Sequence, residues 1–125
     1  MTDRITIVTP PDDILLDGIR ILLIDLTEEQ TNIVSTALKQ SENNNIVAYL
    51  ANGKDWNWII DKKHKSDLII FNAESDDHIA VGYFAAQPKS VYFGILKSLH
   101  IANDRAIYTV EDIIFLLENI SKKHE

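Results

Sequence analysis

The residues best placed to do chemistry are oxygen donors that come just after apolar runs: Asp25, Glu28, Asn72, Glu74, Asp76 and Asp77. In an open parallel sheet, ligands sit beyond the carboxyl ends of the strands. Hard oxygen donors gathered there could hold Mg²⁺ or Ca²⁺. Helix ends need the same residue types. Asp76 and Asp77 fit a first helical turn, where negative charge complements the helix dipole. Neither GxxxxGK[ST] nor GxGxxG occurs, and no GxSxG elbow is present for Ser-His-Asp catalysis. Cysteine is absent, which removes thiolate catalysis, disulfides and zinc-thiolate sites. His64, His78, His100 and His124 show no metal-ligand spacing, so each is expected to be a polar surface residue. Trp56 and Trp58 stand two apart, about 200° around a helix, so both cannot face one core. Trp56 shares a face with Ile59 and Ile60 and is expected to point inward. Trp58 is then the candidate partner contact, because exposed Trp is over-represented at binding hot spots.

The elements that must position these residues follow from the apolar pattern. Residues 4–9 (RITIVT) alternate and are β-branched, as in a short strand ended by Pro10 and Pro11. After Gly18, IRILLID is a near-continuous apolar run, the pattern of a strand buried on both faces of a parallel sheet. Thr27-Glu28-Glu29-Gln30 fits a capping box that opens a helix over 28–41. Residues 46–50 form the next strand, Asn52-Gly53 a turn, and 54–64 a helix. Residues 67–72 (DLIIFN) form a second doubly buried strand. Ser75 is expected to cap a helix over 76–86. Strands over 90–96 and 105–108, a short helix near 97–102, and a helix over 110–121 capped by Thr109 complete the pattern. Alternation of strand and helix implies a parallel sheet with helices on both faces, α/β in class.

The 125 residues make a single domain, read as an N-terminal extension over 1–17 and a core over 18–121. Net charge is −7, and −5 of it lies in residues 1–31, where seven acids meet only Arg4 and Arg20. Such a surface repels phosphate backbones and disfavours nucleic acid as a partner. The short basic cluster Lys62, Lys63, His64 and Lys65 reads as a solvated helix end. No window of about 18 apolar residues is present to span a membrane. No signal peptide is evident, and the absence of cysteine fits a reducing interior, so a cytoplasmic location is expected.

Five strand–helix cycles in about 105 residues match a flavodoxin-like domain in size. The spacing resembles the receiver domain of two-component response regulators. IRILLIDLTEEQ stands where that family ends its first strand in an acidic pair. DLIIFNAES stands where the phosphoacceptor aspartate falls, and RAIYTVEDIIFLLENI stands at the closing lysine and final helix. The resemblance implies that Asp25 keeps one acid of the pair while Leu26 replaces the other. Asn72 occupies the phosphoacceptor position, and Thr109 lies near the expected lysine. Asparagine has no carboxylate to attack a phosphoryl donor, so the resemblance implies a degenerate, pseudo-receiver. The stretch 27–32, where a flavodoxin holds its phosphate, has no glycine and carries two carboxylates that would repel the anion.

The expected function is a non-catalytic protein-interaction or regulatory module in signalling, with an unidentified protein partner and no cofactor. One alternative is a small-ligand or Mg²⁺ binder using a rim of Asp25, Glu28, Glu74 and Asp76. Another is a structural or assembly subunit, in which the chain forms homo-oligomers.

Overall fold

The structure is a computed structural model and describes residues 5–10, 18–41, 45–63, 65–87, 89–94 and 106–123. In chain order the elements are β1 (Ile5–Ile7), β2 (Ile19–Ile24), α1 (Glu28–Gln40), β3 (Ile46–Ala51), a 3₁₀ turn (Gly53–Asp55), α2 (Trp56–Lys63), β4 (Leu68–Asn72), α3 (His78–Ala85), β5 (Ser90–Phe93) and α4 (Val110–Lys123). The five strands form one sheet in the order β1-β3-β2-β4-β5, and every pairing is parallel. The N-terminal strand adds to the outer edge of β3, with Ile5 opposite Ala48 and Ile7 opposite Leu50.

Strand alternation divides the core into two layers. Ile19, Ile21 and Leu23 of β2 join Val34, Ala37 and Leu38 of α1 and Ile113 and Leu117 of α4 on one face. Leu22 and Ile24 point the other way, toward Ile59 of α2 and Ala80 and Phe84 of α3. Both faces of β2 are therefore fully covered, which is why its sequence is a continuous apolar run instead of an alternating one. Full burial of each such Leu or Ile contributes about 1.5–3 kcal/mol. This arrangement is a flavodoxin-like three-layer α/β sandwich.

Local signals place the helix ends. Thr27 and Gln30 form a reciprocal capping box: Gln30 N–H donates to Thr27 Oγ1 at 3.1 Å, and Thr27 N–H donates to Gln30 Oε1 at 3.0 Å. Thr109 does the same for α4, its Oγ1 accepting from Asp112 N–H at 3.2 Å while Asp112 Oδ2 accepts from Thr109 N–H at 3.0 Å. Asp112 Oδ2 also accepts from Tyr108 N–H at 2.8 Å.

Some expectations are revised. The helix after β4 is capped by Asp77, not Ser75, and starts at His78. Ser75 is occupied elsewhere, as described below. Residues 53–55 form a 3₁₀ turn ahead of α2. β5 stops at Phe93, where Gly94 turns the chain with φ +90°. Among the described residues, the strand expected over 105–108 is a single parallel bridge between Tyr92 and Ala106. The helix expected near 97–102, Arg105, and His64, His100 and His124 lie outside the described residues.

Candidate functional site

β2, β3 and β4 are adjacent and parallel, so their carboxyl ends emerge together. Ile24 is opposite Ala51 on one side and Phe71 on the other. Three loops therefore meet: the end of β2 at Asp25, the turn after β3 at Asn52–Lys54, and the loop after β4 at Asn72–Asp77. Asp25 is the knot between them. Its backbone lies in the left-handed region at φ +56°, which non-glycine residues seldom enter and Asp tolerates better than most. Asp25 N–H donates to Ala51 O at 3.1 Å. Its Oδ1 accepts from Gly53 N–H at 2.7 Å, and its Oδ2 accepts from Ser75 Oγ–H at 2.7 Å. A left-handed backbone costs about 1–2 kcal/mol. Each hydrogen bond to a charged group returns about 1.5–3 kcal/mol. Two such bonds outweigh the strain, so the conformation is held by its contacts.

Gly53 is required by this packing. It is buried, and a Cβ there would overlap Asp25 Oδ2 and lie 2.9 Å from Asp25 Cγ. Ser75 relays the knot onward, because its Oγ also accepts from Asp77 N–H at 3.2 Å. Asp77 Oδ1 then accepts from Ala80 N–H at 3.1 Å and starts α3.

Asn72 is the last residue of β4 and is 8% exposed. Its Oδ1 accepts from Glu74 N–H at 3.0 Å, which closes a local turn. Glu74 lies against Gly94, where a Cβ would come within 2.8 Å of its Cγ. Asp25, Asn52, Lys54, Asn72, Glu74, Ser75, Asp76 and Asp77 line an open cleft of about 400 Å³.

Of the residues expected at the rim, Asp25, Asn72, Glu74, Asp76 and Asp77 come together in this cleft. Glu28 does not. It lines a separate groove beside Glu29, Asn32, Ile33 and Val110, between α1 and α4. Among the described residues, no group of three or more acidic or histidine side chains is placed to hold a metal ion.

Leu26 is half-buried against the α1/α4 layer, so it serves as a core-flanking apolar residue. Thr109 is spent on the α4 cap. Among the described residues, Lys54 is a cation lining this cleft that sequence spacing did not point to. It enters from the turn after β3, one residue past an Asn-Gly pair that reads locally only as a turn.

Trp56 and Trp58 are both half-buried and both pack against the α2/α3 layer. The buried residue of α2 is Ile59. Trp56 lies about 60° to one side of it and Trp58 about 100° to the other, so the two indoles flank a shared inward direction. Trp56 meets Tyr83 at 6.5 Å between ring centroids, and Lys62 Nζ sits 5.3 Å from the Trp58 ring centroid. Trp56 is therefore half-buried where an inward ring was expected, while Trp58 is partly exposed.

Fold and rim define an α/β protein of flavodoxin-like architecture with a hydrogen-bonded carboxylate at the carboxyl end of its sheet. Compared with protein-family models, curated proteins and solved structures, the chain matches none. No helix among the described residues is long and apolar enough to cross a membrane.

Proposed function

We propose that this chain is a non-catalytic protein-interaction or regulatory module with a receiver-like fold. The observation that carries the reading is the state of the rim. The position matching a phosphoacceptor is Asn72, whose side-chain oxygen is engaged by Glu74 N–H. Both oxygens of its acidic neighbour Asp25 are likewise engaged within the chain. An amide cannot act as the carboxylate nucleophile of aspartyl-phosphate chemistry. The order β3-β2-β4-β5 agrees with a receiver-like core, and β1 is an addition at its edge. Trp58 remains the proposed partner contact, through the part of its ring left open beside Lys62.

The test is a titration of the chain with acetyl phosphate or beryllofluoride in the presence of Mg²⁺, followed by amide NMR. Unchanged spectra are expected. Saturable shifts centred on Asn72 and Asp25 would overturn the reading.

A second reading, a small-ligand or Mg²⁺ binder, draws on the open cleft and on the mixed donors Asn52, Lys54 and Glu74 around it. It requires a thermal shift with a divalent ion or nucleotide that Asp25→Ala removes. No shift across such a panel would eliminate it.

A further inference from the structure

We draw no further inference here: the strongest candidate, the open groove of about 560 Å³ between α1 and the start of α4, lined by Ile33, Val110, Glu28 and Glu29, carries nothing, because placement in the first turn of α1 accounts for the two acids and nothing in the structure shows what covers the apolar lining.

Discussion

At the amino-terminal end of the sheet, Arg20 and Asp67 tie β2 to β4, whereas at the carboxyl end Asp25 ties β2 to the loops after β3 and β4. The first knot is built from opposite charges. The Arg20 guanidinium donates to Lys65 O and to Gly18 O, the latter at 3.1 Å, and lies 3.8 Å from Asp67 Oδ2. Asp67 Oδ2 also accepts from Arg20 N–H at 2.9 Å. The second knot is a carboxylate held by a neutral N–H and a neutral O–H, and among the described residues no cation pairs with it. Both knots satisfy their polar groups, but among the described residues only the first includes an opposite charge. Among the described residues, Asp25 is thus held by neutral donors at the end of the sheet where folds of this class usually carry function. Either solution satisfies the polar groups that join neighbouring strand ends.

The sharpest way to break this comparison is at Arg20. Both charged side chains are mostly buried, 16% and 18% exposed, and removing one partner leaves the other without its counter-charge. Arg20→Ala is expected to cost about 3 kcal/mol of unfolding free energy, measured by urea denaturation. A cost below about 1 kcal/mol would mean that the charged knot is solvated and contributes little.

At the rim, Asp25→Ala is expected to cost about 2–3 kcal/mol, and Asp25→Asn only about 1 kcal/mol, because an amide oxygen can still accept from Gly53 N–H. Gly53→Ala forces the same carboxylate aside and is expected to cost about 2 kcal/mol. The two alanine changes act on one contact, so the double variant should be less destabilised than the sum of the singles. Strict additivity in a double-mutant cycle would show that Gly53 and Asp25 are not coupled.

A smaller effect belongs to Asp112. Its pKa is lowered from the ordinary 3.8, chiefly by the Tyr108 N–H; desolvation opposes this, and the Thr109 N–H and hydroxyl add to the lowering. A depressed carboxylate stabilises the fold fully above its ordinary value. That stability declines as pH falls below about 3.8 and is gone below the lowered folded-state value. The acid limb of stability should therefore flatten in Asp112→Asn when unfolding is followed from pH 5 to pH 2. An unchanged limb would remove Asp112 as a contributor.

The smallest expected effect is none at all. Asn72→Asp is expected to take up no phosphoryl group from acetyl phosphate, because Leu26 supplies no second acid for Mg²⁺ and Thr109 is committed to a helix cap. Stoichiometric labelling seen by mass spectrometry would show that one substitution rebuilds the site.

The readable parts of this molecule are those whose partners are close in sequence. The Thr27–Gln30 and Thr109–Asp112 caps join residues three apart, so their chemistry is complete within one turn. The apolar runs of β2 and β4 announce strands covered on both faces. Ser75 illustrates the opposite case. As a local signal it is a good cap, but its hydroxyl is taken by Asp25, 50 positions earlier, and Asp77 starts α3 instead. The two indoles are a related case: Trp56 is half-buried and not the inward residue of α2. Helical spacing places Trp56 on the face of Ile59 and Ile60, and packing centres that face on Ile59.

By itself, then, the sequence determined the α/β class, the Thr27 and Thr109 caps, and the absence of thiol and glycine-loop chemistry. These depend on local periodicity and residue type. Only the tertiary structure decided that Asp25 meets Gly53 and Ser75, 28 and 50 positions away, and that Glu28 stays apart from Glu74 and Asp76. Those outcomes follow from strand order. Placing β2 between β3 and β4 brings three loop ends to one rim, and spacing along the chain does not encode which strands become neighbours.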